Sequence, residues 1–343
     1  MSAQSKGIDW YRTNVSRDVL RRMTSRSDGK ALAQATAFLL IYAGTTSLAL
    51  HFFLVNAWIP MVVAAYVHSV FTGFVGMGAA VHELSHGTAF KTKWLNAFFY
   101  RLFCFLTWNN PHHFRESHKR HHLLTGYKDV DKEILPEPIP IPWWQVVGWF
   151  TFDFMHFKNV FITDVKHAFG FTKADFFGWT GLFDREDGDR KKLIRWARFL
   201  LIGHAIIAAV FIYFQLWILL YTFTFGYFFA TFLVHGCEIQ QHAGLPRDIP
   251  DWRVVATNRR FGPLVSFLYW GMSYHAVHHM YAAVPFYNLK RMYKEIHHDF
   301  PEPMRGYWRG LLEVVRLKGL QRKDPTYRYI PEFPESATPP KLA

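Results

Sequence analysis

From Ala31 to Val81 this chain carries no Lys, Arg, Asp or Glu, and from Phe199 to Cys237 it again carries none. A helix needs roughly 20 apolar residues to cross the hydrocarbon layer of a bilayer, so each tract is about long enough to cross twice. The first tract breaks near Asn56 to Pro60 and the second near Gln215, where polar or Pro-containing sequence can turn the chain at the far membrane face. The expected fold is an all-α integral membrane protein with four transmembrane helices, at about residues 31–53, 58–81, 194–214 and 216–237.

Neither turn carries a basic residue, whereas Lys6, Arg12, Arg17, Arg21, Arg22, Arg26 and Lys30 precede the first tract, and Lys and Arg are frequent between and after the tracts. Basic residues mark the cytoplasmic side, so both termini and the central segment are expected there. The net charge of +13 is then the orientation signal together with attraction to anionic lipid headgroups. No basic stripe interleaved with stacking aromatics suggests a nucleic-acid partner. With only Cys104 and Cys237, no disulfide framework is implied. The first 30 residues lack the apolar core of a cleaved signal peptide, so the first span itself should direct insertion.

Three regions follow: an N-terminal cytosolic or interfacial segment over residues 1–30, a membrane catalytic domain over 31–300, and a cytosolic C-terminal segment over 301–343. Residues 8 to 30 read as an amphipathic piece that can lie on the membrane surface. The second span runs without an evident breaker into Val81-His82-Glu83-Leu84-Ser85-His86, so helix continuity is expected to carry those histidines just beyond the bilayer. Residues 94 to 108, apolar but interrupted by Arg101, suit a buried or interfacial helix. Pro136, Pro138, Pro140 and Pro142 exclude regular helix there. The aromatic run from Trp143 to Phe157 suits the headgroup zone, residues 171 to 192 the cytoplasm, and the sequence from Pro331 onward a disordered tail.

Among nineteen histidines, three clusters stand out: His82-x-x-x-His86, His118-x-x-His121-His122 and His275-x-x-His278-His279. Residues four apart share a helix face, so His82 and His86 can bind one ion together. The x-x-His-His pattern presents imidazoles at both i+3 and i+4, which lets one turn address two adjacent ions. Imidazole alone leaves Fe, Zn, Cu and Ni open. The number of histidines exceeds the need of one tetrahedral zinc, while two irons with open positions for oxygen can use them all.

The boxes HELSH, HKRHH and HAVHH, in this order and with paired spans, resemble those of the membrane-bound fatty acid desaturase and hydroxylase superfamily, over roughly residues 30 to 300. Phe114-Arg115-Glu116-Ser117, Thr125, Asp129-Val130-Asp131 and Val284-Pro285-Phe286 flank the boxes in keeping with it. The resemblance implies a cytosolic helical cap holding two iron ions, with O2 as co-substrate. Its ligands would be His82, His86, His118, His121, His122, His275, His278 and His279, with His242 added from the end of the last span. Glu238 falls where acyl-CoA desaturases resemble an Asn acting through water, and is expected to bind directly or hold a water. Glu83, Glu116, Asp129 and Asp131 are candidates to orient ligand rings. His112 and His113 are out of register and suit packing or an outer position. His51, His68 and His204 within the spans suit hydrogen-bonded structural roles, and His297 and His298 the surface.

Breaking an unactivated C–H bond is beyond side-chain acids and bases, which is why this family relies on a metal. The resemblance implies an O2-dependent oxidoreductase of a bacterial inner membrane, acting on a fatty acid or acyl lipid and most simply forming a carbon–carbon double bond. Hydroxylation and terminal-alkene-forming decarboxylation are the alternatives within the superfamily. The first box has three intervening residues where the animal acyl-CoA desaturases have four, so their substrate form does not carry over. No fused cytochrome, ferredoxin or dinucleotide signature is present, so a separate ferredoxin, rubredoxin or cytochrome is the expected electron donor. Outside the superfamily, a haem-bearing membrane cytochrome would use His51, His68 and His204, while a metal transporter would need ligating residues along the uncharged tracts.

Overall fold

The computed structural model describes residues 8–128, 130, 131, 133, 134, 141–172 and 188–342. The chain forms two compact units, one from Asp28–Ser117 and Ile141–His235, the other from Met1–Ser27, His118–Pro140 and Gly236–Ala343. The described residues are mostly helical, and the sheet among them is one parallel pairing of Arg259–Arg260 with Met304–Arg305. Asp129, three of the four prolines of the expected loop, and most of the expected cytoplasmic segment 171–192 lie outside the described residues.

Three helical stretches are long and apolar enough to cross a membrane: Arg17–Leu54, Trp58–Ser85 and Asp189–Tyr213. The helix Asp28–Leu54 is anchored at its start, where the Asp28 carboxylate accepts the amide and hydroxyl of Thr92 at 2.9 and 2.8 Å. The chain reverses at Asn56, which takes a left-handed conformation (φ 55°) that Asn tolerates better than most residues. Gln215 (φ 57°) does the same after the third stretch, so both expected turns are present. Small residues allow close helix approach in this unit: Ala49, Ala64 and Ala65 share one buried cluster with Ile218. Leu40, Ile59, Val62, Ile202 and Ile206 remain exposed, an apolar surface for which lipid is the natural neighbour. His68 is hydrogen-bonded through both ring nitrogens, to Thr45 Oγ1 at 2.8 Å and the Thr222 carbonyl at 2.9 Å. His204 donates to the Phe105 carbonyl at 3.0 Å and stacks on Trp108. Both are structural, and His68 has no nitrogen left for a haem.

The second span is not continuous with the first histidine box. The helix stops at Val75 and resumes as the short helix Ala80–Ser85. Between them Gly76 lies against the Tyr227 ring, so close that a Cβ would overlap it. The turn is closed by the Val81 amide on the Gly76 carbonyl at 3.1 Å. Hydropathy could not report this interruption, because it comes from a close approach by a residue far along the chain.

The fourth span, expected over 216–237, is likewise broken. A helix at Trp217–Leu219 widens to a π-turn over Leu220–Phe225 and tightens over Gly226–Phe228. The backbone then extends at Phe229 and turns left-handed at Ala230 before the helix Phe232–His242 starts. The break is sustained by hydrogen bonds from another segment: Asp153 N to Phe228 O at 2.8 Å and Ala230 N to Thr151 O at 2.9 Å. The Asp153 carboxylate also accepts Thr231 Oγ1 at 2.8 Å and His235 Nε2 at 3.1 Å. Backbone groups released from a helix in apolar surroundings need such partners.

The expected interfacial helix is Lys93–Leu106, burying Asn96, Phe99, Tyr100, Phe103 and Cys104 while Arg101 stays exposed. In the helix Trp143–Phe150 no residue is buried, as suits an aromatic belt.

The other unit is built around helices Phe286–Ile296 and Tyr307–Lys323 and a buried ionic clasp. Arg253 is fully buried between Asp251 and Asp299, each at 2.7 Å, with the Tyr11 ring 3.7 Å from its guanidinium carbon. Tyr11 and Thr13 hydroxyls donate to Asp299 at 2.8 and 2.5 Å. The tail expected to be disordered has neither helix nor strand, yet it is tied into the same clasp. Thr338 donates to Asp299 at 2.9 Å and accepts from Arg253 at 3.1 Å, and Ser336 bonds His298 O at 3.0 Å. A buried guanidinium needs several acceptors, and the tail supplies one.

Candidate metal centre

His121, His242, His275 and His279 offer four ring nitrogens that lie within 4.8 Å of one another. His121 comes from the helix Pro111–Leu124, His242 from the end of Phe232–His242, and the other two from His275–Met280. The last helix is set by its neighbours: Ala276 N bonds Thr257 O at 3.2 Å and Val277 N bonds Asn258 Oδ1 at 3.3 Å. Thr257 in turn grips the end of the His242 helix, through Gln241 O at 2.9 Å and Gln240 O at 2.6 Å.

The outward nitrogens of three of these rings are committed. His242 Nδ1 donates to Val255 O at 2.8 Å, and His121 Nδ1 to both oxygens of Asp131 at 3.1 and 3.0 Å. Thr125 spends its hydroxyl proton on His121 O at 2.6 Å and so accepts from His279 Nδ1 at 3.1 Å. With the protons on Nδ1, the Nε2 atoms carry lone pairs. Those of His242 and His279 each lie 2.9 Å from His275 Nε2, which can donate at most one proton. At least one contact therefore sets two lone pairs face to face, an arrangement that a cation between the rings relieves. The residues fit a metal ion on this ground.

His118, His122 and His278 form a second group with nitrogens within 4.8 Å. His118 Nε2 and His122 Nε2 are 3.0 Å apart, and His118 Nδ1 donates to Glu133 Oε2 at 3.0 Å. The two groups adjoin, since the His122 and His279 rings stack with centroids 4.2 Å apart. Each x-x-His-His motif is thus split: residues four apart stay together, and the histidine between them serves the other group. In the other unit, His82 and His86 stand on successive turns with ring centroids 5.6 Å apart and nitrogens within 4.8 Å.

Burial, followed by the neighbouring His121, lowers the His242 pKa to about 3, and burial among four other imidazoles holds His279 well below the usual range. Neutral imidazole is the ligating form. For His121 burial acts downward, but the Asp131 and Glu133 carboxylates outweigh it and hold the ring above its ordinary value. Asp131, buried with Gly126 N at 2.9 Å on Oδ2, is held below the usual carboxylate range by His121 despite desolvation.

Of the expected ring-orienting carboxylates, Asp131 takes that position. Glu83 is fully buried and accepts Thr88 Oγ1 at 3.4 Å, and Glu116 is half-buried. Glu133, Thr125 as an acceptor and the Val255 carbonyl were not singled out as partners from sequence. Glu133 continues the alternation of acids begun by Asp129 and Asp131, a signal that was legible; a carbonyl has none. Glu238 is half-buried and belongs to neither histidine group. It precedes His242 by four residues and so shares its helix face. His113 packs against His167 at 5.2 Å, burial and nearby Arg115 lower His112 to about 4, and His297 and His298 are exposed.

The family model described as fatty acid desaturase matches residues 56–310. No curated protein matches the chain.

Proposed function

The chain belongs to the fatty acid desaturase family, and from that premise we propose that it is an O2-dependent diiron oxidoreductase that introduces a double bond into a fatty acid or acyl lipid. The observation that carries this reading is the convergence of lone-pair nitrogens in two adjoining histidine groups. His121, His242, His275 and His279 would hold one iron, and His118, His122 and His278 the other. His82 and His86 join the ligand set, as the order of the three motifs implies. Glu238, on the same helix face as His242, would serve this centre by binding directly or by holding a water.

Two irons would supply the oxidising power, with O2, to remove hydrogen from an unactivated methylene. Burial keeps His242 and His279 neutral, and the chain's own polar groups aim the rings. Asp131 and Glu133 fix the tautomers of His121 and His118, Thr125 that of His279, and the Val255 carbonyl that of His242. A membrane setting brings acyl chains laterally, with the broken fourth segment completing four crossings and both termini on the cytoplasmic side. Electrons come from a separate ferredoxin, rubredoxin or cytochrome.

The test is metal analysis of the purified chain combined with mass spectrometry of products formed from a fatty acid, a reductant system and O2. A product two hydrogens lighter supports the reading. An oxygenated product, or a terminal alkene one carbon shorter, assigns the same centre to hydroxylation or decarboxylation. Absence of non-haem iron with a strong haem band would overturn it.

A further inference from the structure

The unit that carries the two histidine groups also contains a half-open cavity of about 70 Å³. Its wall includes Ala243, adjacent to His242, Ala276, adjacent to His275, and Thr257, which binds the ends of both helices. Arg259 lines it as well, with 8% of its surface exposed. One terminal nitrogen of Arg259 makes a long bond of 3.4 Å to Gln240 O, and its buried Nε has no hydrogen-bond partner among the described residues.

The other charges of the wall are matched elsewhere. Glu302 pairs with Arg260 at 3.0 Å, and Glu313 is held by both prongs of Arg316 at 2.7 and 2.8 Å while also acting on Arg259 through space without an ion-pair contact. Arg253 is satisfied by Asp251 and Asp299. Arg259 alone among these guanidiniums has no ion pair within the described residues. The carbonyl end of the helix Phe232–His242 offsets part of its charge, at most about half a unit. A buried guanidinium with an idle donor is costly, and its planar fork matches a carboxylate or phosphate.

We propose that this cavity binds one small oxyanion, a phosphate or carboxylate group, held by Arg259. A water needs roughly 10–15 Å³ of such space, so the cavity admits a group of a few heavy atoms. Occupancy gives Arg259 its missing acceptor and stiffens the Thr257–Arg259 segment that positions His242 and His275. The proposal stands whether or not the histidine groups hold iron.

Thermal unfolding of the full-length protein in detergent provides the test, with inorganic phosphate and acetate added separately and chloride at matched ionic strength as control. The expected result is a saturable rise in Tm with phosphate, acetate or both, beyond the chloride effect. Arg259→Gln should abolish the rise, and Glu313→Gln, which removes a carboxylate from the wall, should reach saturation at several-fold lower anion concentration. Response to phosphate alone identifies a phosphate source, and response to acetate alone a carboxylate source. A rise equal to that with chloride, or one unchanged in Arg259→Gln, overturns the proposal. Should Arg259→Gln fail to fold, equilibrium dialysis of labelled phosphate and acetate against the wild-type protein decides. One anion per chain supports the site, and none overturns it.

Discussion

His121 and His122 are neighbours in sequence, yet their rings stand 5.9 Å apart at 78° and each belongs to a different group of converging imidazoles. Successive residues on a helix diverge by about 100°, since 3.6 residues make a turn. Neighbouring histidines on one turn therefore point toward different groups. Replacing His121 with Ala and, separately, His122 with Ala should each lower the iron content and abolish product while the membrane helices remain inserted. Metal analysis and resistance to alkaline extraction check this; a fully active variant with unchanged iron would remove that residue from the centre.

Asp131 is the partner that sets His121. Asp131→Asn keeps an acceptor oxygen but removes the charge and allows the amide to turn its NH2 toward the ring. The expected loss is roughly 10–100-fold in metal affinity or turnover, with little change in helix content. Titration of the iron-free protein with ferrous ion, followed by circular dichroism, separates the two. Glu133→Gln should act in the same direction through His118.

The Arg253 clasp is a stability element whose own side chains are not among the histidine groups. Arg253→Ala leaves Asp251 and Asp299 buried without their cation, at an expected cost of about 3–5 kcal/mol. Arg253→Lys should recover only part, because an ammonium cannot match both carboxylates and the Thr338 carbonyl together. The melting temperatures of the three proteins give the answer.

Gly76 is required by the approach of Tyr227, which leaves no room for a Cβ. Gly76→Ala should cost about 1–3 kcal/mol through overpacking. Adding Tyr227→Ala should restore part of that loss. Strict additivity of the two substitutions in unfolding experiments would argue against the steric account.

Asp153 predicts an acid-dependent contribution. Burial acts to raise its pKa, but the His235 bond and the neighbouring imidazoles and amide outweigh burial, and the folded value lies below the ordinary 3.8. The unfolded chain then binds more protons around pH 4, so this stabilisation is present above that pH and fades as pH falls below it. Asp153→Asn keeps a side-chain acceptor for His156 N and should be less stable than wild type at pH 7, the gap closing on acidification below about pH 4. A gap that widens with acid would show the sign to be wrong.

Much of this protein was legible as one-dimensional pattern. Uncharged tracts mark membrane-crossing helices because desolvating charge in hydrocarbon is costly, and Asn56 and Gln215 mark their turns because local polarity and backbone preference act within a few residues. The i, i+3, i+4 spacing of the histidines in the second and third boxes lets each of them split between two groups, since helix geometry sets those directions. What the tracts did not disclose is that the second span of each one breaks. Gly76 yields to Tyr227 and the stretch Phe228–Ala230 pairs with Thr151–Asp153, contacts between residues far apart in the chain. Likewise Glu133, Thr125 and the Val255 carbonyl became orienting partners, and the tail joined the Arg253 clasp, only once the chain had folded. Local periodicity and hydropathy are properties of neighbours in sequence, whereas a hydrogen-bond acceptor or a steric overlap is defined by whatever segment arrives there, and that only the tertiary structure decides.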